Sequence, residues 1–353
     1  MGERPGTLSH DGPSADHGAR LGWLSGIGLL AVLLALAAFA ALLVGPFPLG
    51  PREAIGVLAH ALGGGETQGP AQTVLIAIRL PRVLGALLVG AALAGAGACY
   101  QTLFRNPLVS PDILGVSAGA GLGAVLGIFL SLPVLAIQLM GFAGGLAAVA
   151  LVATVAAAVR SGDRTLILVL AGVVVGALTG AATSLLKVLA DPYDQLPAIT
   201  FWLLGSLAGL RGEDIVPATP VVVLGLVPLV ALRWRINVLA LGDEEARALG
   251  IEAGRLRMVV IVCATLMTAS VVAIAGVVGW IGLVIPHIAR MITGPAFGRL
   301  LPVTILLGAF YMLVVDTLAR TMSSGEVPLG ILTAVVGAPF FLWLLARGRR
   351  AWA

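Results

Sequence analysis

Long apolar runs separated by short polar segments make up most of the chain. An α-helix needs about 20 apolar residues to cross a bilayer, and most of the runs approach that length. Two runs are too long for one helix, and we divide them at a proline and a glycine. The predicted spans are Leu21–Val44, Val83–Phe104, Ile113–Val159 divided at Pro133, Thr165–Leu186, Ile215–Leu232, Met258–Ala289 divided near Gly279, Leu300–Arg320 and Val327–Ala346. The pattern therefore predicts an all-α polytopic membrane protein with about ten transmembrane helices.

The remaining segments complete the predicted architecture. The shorter run Gln195–Leu210 predicts a half-helix that dips into the outer face. Residues 1–20 form a polar arm, residues 21–347 a single transmembrane domain and residues 348–353 a tail. The first run also has a cleavage-like site, Ala38-Phe39-Ala40, but it exceeds the roughly 7–15 apolar residues of a signal peptide. We therefore expect this run to be retained as a span.

Composition supports a membrane protein. Hydrophobic residues make up 59% of the 353 residues and charged residues only 11%, whereas soluble domains carry about 25% charged residues. The net charge is +4, but the basic residues are scattered and form no patch, so a nucleic-acid partner is not indicated. Cys99 and Cys263 both lie inside apolar runs, where a thiol packs like a small hydrophobic group.

The positions of the basic residues predict the orientation. Cytoplasmic loops carry an excess of Lys and Arg. With the N-terminus inside, only six of the 21 basic residues fall on or near the outer side: Arg52, Arg79, Arg82, Lys187, Arg211 and Arg320. We therefore expect both termini to be cytoplasmic.

Two glycine stripes recur at every fourth residue. They consist of Gly119, Gly123 and Gly127, and of Gly172, Gly176 and Gly180. Such stripes let helix backbones approach closely. We favour packing within the subunit over a seam between two copies.

The chain lacks the motifs of a transporter that supplies its own energy. It contains no G-x-x-x-x-G-K-[ST] loop for ATP and no H-E-x-x-H metal motif. Its four histidines, His10, His17, His60 and His287, are far apart, so no cofactor or metal site is predicted. Charges inside the spans are nearly absent, whereas a proton- or sodium-driven carrier normally needs them. The sequence therefore indicates a pathway whose energy source lies in another protein.

The loop 233–257 contains the clearest functional signal. After Gly242, three acidic residues occupy a first helical turn, and Gly250 ends the segment. Acidic residues favour a helix N-terminus and glycine suits the position after its end. We predict a short amphipathic helix that docks on a motor subunit, with a solvated connector as the alternative. Its candidate residues are Asp243, Glu244, Ala246, Arg247, Leu249 and Gly250.

A tight turn over 104–112 is the second candidate site. Ser110 is a plausible N-cap and Pro111 suits a first helical position. Asn106 and Leu108 would then stand at the mouth of a pore lined by these helices, although a plain connecting turn fits the spacing almost as well.

Arginines on the outer side form the third candidate site. Arg79 and Arg82 flank Pro81 at the start of a span, and Arg320 follows Asp316 by four residues. One interpretation is headgroup snorkelling with an intrahelical Asp316–Arg320 pair. The other is that the guanidinium groups point to the periplasm and bind acidic residues of a soluble partner.

Six motifs in order resemble one permease family. They are Arg79–Arg82, Asn106–Leu108, Leu114–Gly119, the helix 242–250, Gly282–His287 and Pro328–Thr333. The sequence resembles the membrane subunit of bacterial importers for iron–siderophore, haem and cobalamin, the FecCD type, from about Leu21 to Arg347. The resemblance identifies the family but not the substrate.

The resemblance implies partners and residue roles. It implies a second permease copy or a paralogue, two ATPase subunits that bind ATP and Mg, and a periplasmic substrate-binding protein. It assigns Asn106 and Leu108 to an inner gate, the three outer arginines to binding-protein contacts, and Asp243–Gly250 to coupling. The positions of Thr179, Thr183 and Ser184 on one helix suggest that they line the pathway.

These expectations lead to one main functional hypothesis. We expect ATP-driven import of an iron chelate, most readily a siderophore, with haem, cobalamin or an oxyanion such as molybdate as alternatives. A stand-alone channel or secondary carrier is the competing class. We do not favour a membrane-embedded enzyme, because the sequence shows no set of polar residues arranged for catalysis.

Overall fold

The computed structural model describes residues 13–63, 69–159, 164–323 and 325–346, and this part of the chain is all-α. The helices are α1 (Pro13–Leu43), α2 (Pro51–Leu62), α3 (Pro70–Gln72), α4 (Leu80–Leu103), α5 (Val116–Phe129), α6 (Val134–Ala158), α7 (Arg164–Leu189), α8 (Gln195–Leu204), α9 (Gly212–Ala231), α10 (Arg233–Leu239), α11 (Asp243–Ala248), α12 (Ala253–Ala275), α13 (Ile281–Thr293), α14 (Phe297–Ala319) and α15 (Leu329–Ala346). A π-helical segment, Thr73–Arg79, joins α3 to α4, so 70–103 is one continuous apolar helix. The tail 348–353, residues 1–12 of the polar arm and His10 lie outside the described residues, and so does the side chain of His17.

The helices confirm the predicted fold class. Seven helices in the described ranges are long and apolar enough to cross a membrane. Shorter apolar helices, α5, α8, α13 and α15, complete the set, so every predicted span and the half-helix has a counterpart. α1 begins at Pro13 and therefore extends across the predicted boundary at Leu21.

Helices α4, α12 and α14 form the centre of the bundle. A Cβ added to Gly90 of α4 would lie 2.1 Å from the carbonyl oxygen of Gly308 on α14, and one on Gly97 would lie 2.0 Å from that of Gly282. Backbones this close leave room only for glycine. Among the long spans, α12 is the most enclosed and α1 the least, so α1 lies at the rim of the chain.

The glycine stripes behave differently from one another. On α5, Gly119 and Gly123 contact the backbone of α6, where an added Cβ would lie 2.4 Å and 2.1 Å from the carbonyl oxygens of Gly144 and Met140. Packing within the subunit is therefore confirmed for this stripe. On α7, only Gly172 packs closely, and a Cβ at Gly176 or Gly180 would meet no described atom within 4 Å.

A break divides the long run near Gly279, as predicted. α12 ends at Ala275, and residues 276–280 are unwound before α13 begins. Polar backbone groups inside a membrane protein need protein partners when they leave a helix. Here Ser206 N donates to Ala275 O at 2.8 Å and Leu329 N to Gly205 O at 3.0 Å, so neighbouring interrupted segments satisfy one another.

Candidate functional site

The predicted coupling helix exists as α11, and its end has a defined cap. Gly250 adopts φ +74°, Gly250 N donates to Arg247 O at 2.9 Å, and Ile251 N donates to Ala246 O at 2.8 Å. This pair of hydrogen bonds is a Schellman motif, which favours glycine at the residue after the cap. The position of Gly250 is thereby explained by backbone geometry.

The residues of α11 divide into anchoring and exposed groups. Ala246 is fully buried, and Asp243 pairs with Arg257 of α12 at 2.8 Å, so both fix the helix to the bundle. Glu244, Arg247 and Leu249 are exposed, and the Leu249 side chain is 56% accessible. α11 is therefore anchored on one side and presents Glu244, Arg247 and Leu249 on the other.

The turn after α4 presents the predicted gate residues to solvent. Asn106 Oδ1 accepts a hydrogen bond from Leu108 N at 2.9 Å, which closes an Asx turn, and Arg105 adopts φ +48°. Asn106 is exposed and Leu108 is 39% accessible. Ser110 occupies the N-cap position before Pro111, as expected, but its side chain makes no capping hydrogen bond.

The buried outer arginines require a correction. Arg79, Arg82 and Arg320 are 3%, 5% and 8% accessible, so our expectation that their guanidinium groups point to the periplasm is wrong. Snorkelling to headgroups is excluded for the same reason. Direct contact with a soluble partner is not available to these side chains in this conformation.

Arg79 and Arg320 instead complete the C-terminal end of α1. The last four carbonyl groups of an α-helix have no partner within the helix. Arg79 Nη1 donates to the carbonyl oxygens of Leu42 (2.8 Å) and Leu43 (3.1 Å), and Arg320 donates to that of Ala41. Val44 N donates a hydrogen bond to the remaining carbonyl oxygen, that of Ala40, at 3.2 Å. The two cations therefore satisfy and electrostatically stabilise this helix end.

Arg82 forms a buried ion-pair cluster. Its Nε donates to both oxygens of Asp316 at 2.8 and 3.0 Å, and its Nη1 donates to Glu326. Asp316 is fully buried, and its predicted pair with Arg320 is present only as a 3.9 Å contact. The cluster joins α4, α14 and the segment before α15 at the end of the bundle where α1 also terminates.

The predicted pathway residues lie on the open side of α7. Thr179 and Thr183 are half-buried and Ser184 is exposed. The hydroxyls of Thr179 and Ser184 donate to the carbonyl oxygens of Val175 and Gly180 on their own helix, at 2.9 Å each. Their surface toward any substrate is therefore only weakly polar.

The described residues hold no group of three or more His, Cys, Asp and Glu side chains arranged for a metal ion. His287 lies within α13 beside the ring of Phe340, with centroids 6.2 Å apart. The candidate features that the fold positions are therefore the anchored helix α11, the exposed turn after α4 and the open face of α7.

The family follows from a match over most of the chain. The model of the FecCD transport family matches residues 33–347. The chain belongs to the FecCD transport family. It is thus a multi-pass membrane permease of the ABC transporter class, and the resemblance read from its six motifs is confirmed.

Similar proteins span more than one cargo. A probable iron chelatin transport system permease protein of Helicobacter pylori is 44% identical over 78% of this chain and 83% of its own length. The molybdate import system permease protein MolB of Haemophilus influenzae is 38% identical over 91% of this chain and 95% of its own. A solved metal-chelate type ABC transporter in an inward-facing conformation matches with a TM-score of 0.82 and 37% identity, over 92% of this chain and 99% of that one.

Sequence reasoning missed two residues of this FecCD permease. Glu326 pairs with Arg82, and Gln101 donates to the carbonyl oxygen of Leu283 at 3.1 Å, which joins the segment before the gate turn to α13. Both partners are distant in sequence, so spacing gave no signal. The presence of a Gln inside an apolar run, a few residues before the candidate gate turn, was the available hint for Gln101.

Proposed function

We propose that this chain is the membrane subunit of an ABC importer that moves an iron chelate, a siderophore first of all, from periplasm to cytoplasm. Separate ATPase subunits supply the energy, and a periplasmic binding protein delivers the cargo. The observation that carries the proposal is α11, which is fixed to the bundle by Ala246 and the Asp243–Arg257 pair while it exposes Leu249. An autonomous channel or secondary carrier has no use for such a docking element.

A second copy of the permease accounts for the open face of α7. A Cβ added to Gly176 or Gly180 would meet no described atom of another segment within 4 Å, and Val173, Val174 and Leu178 beside them are 58–63% accessible. Small residues flanked by apolar ones are typical of helix–helix seams in membranes. We place the pathway between two copies at this face, lined by Thr179, Thr183 and Ser184, with Asn106 and Leu108 closing its inner mouth.

The outer end of the bundle is the proposed contact surface for the binding protein. In this proposal Arg79, Arg82 and Arg320 act indirectly: they hold the ends of α1, α4 and α14 in place. Both termini and α11 lie on the cytoplasmic side, in agreement with the bias of the basic residues.

The proposed cargo rests on the named relatives. The H. pylori relative is named for iron chelatin and the solved structure for a metal chelate, whereas MolB is named for molybdate. An iron chelate is therefore the first candidate, and haem, cobalamin and molybdate are the alternatives that competition assays should include.

A Leu249→Asp variant tests the coupling proposal. The change places an unpaired charge in a desolvated interface, which is strongly unfavourable, so the affinity of the ATPase subunit for the detergent-purified permease should fall at least about tenfold. Leu249→Met keeps volume and polarity and serves as the matched control. Because Leu249 is exposed, the unfolding temperature of the permease alone should not change. Undiminished ATPase binding by Leu249→Asp would refute the assignment of α11.

A further inference from the structure

A cleft of about 580 Å³ opens at the end of the bundle that carries α10 and α11. The start of the apolar part of α1, helix α10 and the first turn of α14 line it. Its polar and aromatic lining side chains are Trp23, Arg233, Trp234, Asn237 and Arg299. None of the residues assigned above to coupling, gating or the arginine cluster contributes to it.

The described side chains of this cleft offer hydrogen-bond donors without matching acceptors. The indole Nε1 of Trp23 is buried and has no hydrogen-bond partner. Asn237 uses its Oδ1 to accept from Phe297 N at 3.1 Å, so its amide NH₂ is the part still available. Because the N–H of Trp23 is buried, it is closed to a ligand in this conformation, and the Asn237 amide is the donor that remains for an acceptor in the cleft.

Two cations face the same cleft. Arg233 and Arg299 are exposed and make no ion pair with any described carboxylate. The stem of Arg233 lies against the start of α14, where a Cβ on Gly298 would be 3.6 Å from its Cδ. No Asp or Glu is among the described residues that line the cleft. Like charges held near each other repel, and an anion between them removes that repulsion.

The position of the cleft along the helices matches a membrane surface. Trp23 begins the apolar span Trp23–Leu43, and tryptophan is enriched at the level of lipid headgroups. From there, Leu29, Val32 and Leu36 continue along α1 with accessibilities of 57–61% and no covering helix among the described residues. A ligand bound in the cleft therefore has an apolar track beside it.

We propose that this cleft binds the phosphate of an anionic phospholipid whose acyl chains lie along the exposed face of α1. Donors and cations recognise the phosphate, and the apolar track distinguishes a lipid from a free anion. Basic clefts between helices at the cytoplasmic surface are suited to such headgroups. The proposed function enters only in the assignment to the cytoplasmic leaflet, since binding itself needs neither ATPase nor transport.

Native mass spectrometry of the full-length permease in detergent tests the proposal. Dioleoyl phosphatidylglycerol, dioleoyl phosphatidylcholine and inorganic phosphate are titrated separately. The double variant Arg233→Gln/Arg299→Gln should bind phosphatidylglycerol about thirtyfold more weakly, because each basic residue near a membrane surface contributes about 1 kcal/mol. Arg235→Gln/Arg255→Gln removes the same charge from exposed positions outside the cleft and should bind as the wild type does.

The possible outcomes separate the lipid from other occupants. The proposal is supported if the preference for phosphatidylglycerol over phosphatidylcholine is lost in Arg233→Gln/Arg299→Gln but kept in Arg235→Gln/Arg255→Gln. Equal loss in both double variants, or full competition by inorganic phosphate, would overturn it. So would loss of ATPase binding with unchanged lipid binding, because the cleft would then belong to a protein interface. Failed transport with intact lipid binding would contradict the proposed function and leave this inference standing.

Discussion

Ion pairs between buried charged residues hold the outer end of the bundle together. Asp316 is fully buried and meets Arg82 through two short contacts, whereas Glu326 is 38% accessible and meets the same guanidinium from the surface. Removing one member of a buried pair leaves the other uncompensated, while a solvent-exposed pair contributes little. The two carboxylates around Arg82 should therefore differ in their effect on stability.

We predict that Asp316→Asn lowers the free energy of unfolding by about 3 kcal/mol and that Glu326→Gln lowers it by less than about 1 kcal/mol. Titration of the purified permease in mixed micelles with a denaturing detergent measures the free energy of unfolding of both variants. If the two variants were equally stable, Asp316 would not be the structural centre of this cluster.

The sequence could identify these residues but not their environment. Arg79 and Arg82 belong to one of the motifs that carry the family resemblance, and the Asp316–Arg320 spacing suggested a pair within one helix. However, Asp316 is bound chiefly by Arg82, 234 residues away, and Arg79 by carbonyl groups 32 to 37 residues away. Contacts between distant segments cannot be read from local sequence spacing. The burial of these arginines and the identity of their partners could therefore be seen only in the structure.

At the scale of helices, glycine position determines which faces meet within the chain. α5 and α6 approach so closely at Gly123 that a methyl group would collide with the carbonyl oxygen of Met140. Gly176 has the same spacing pattern on α7 but lies on an open face. The α5 stripe therefore packs within the subunit, whereas Gly176 and Gly180 of the α7 stripe leave a face that we propose for a second copy.

We predict opposite effects for matched alanine substitutions. Gly123→Ala should destabilise the single chain by about 1–3 kcal/mol, because the helices must separate. Gly176→Ala should leave the stability of the chain unchanged. The bulkier Gly176→Leu should lower the dimer fraction in detergent, measured by light scattering after size exclusion. A wild-type dimer fraction in Gly176→Leu would place the seam elsewhere.

The division of the long apolar runs into separate helices was predicted correctly where a proline or glycines interrupt the run. Pro133 and the glycines around Gly279 separate helices α5 from α6 and α12 from α13, because these residues end or interrupt helices locally. The π-helical segment Thr73–Arg79 and helix α2 were not predicted, since neither has a distinctive apolar period or breaker. Packing within the subunit holds for Gly172 of the α7 stripe but is not seen at Gly176 and Gly180, because a glycine stripe does not reveal which of its residues meet a neighbouring helix.

At the scale of the whole molecule, the structure supports a passive pathway coupled to an external motor. α11 exposes Leu249, α7 exposes an apolar face around Gly176 and Gly180, and the arginine cluster holds together the opposite end of the bundle. Membership of the FecCD transport family agrees with this division of labour. The central claim is therefore that cargo movement depends on ATP hydrolysis by a separate subunit.

Uptake into proteoliposomes tests this claim most directly. The permease is reconstituted with its ATPase, and the binding protein loaded with a radiolabelled iron chelate is placed on the opposite side of the membrane from the ATPase. The account predicts uptake that requires hydrolysable ATP on the ATPase side and stops when the ATPase is omitted. Uptake driven by a proton or sodium gradient through the permease alone, without ATP, would contradict it.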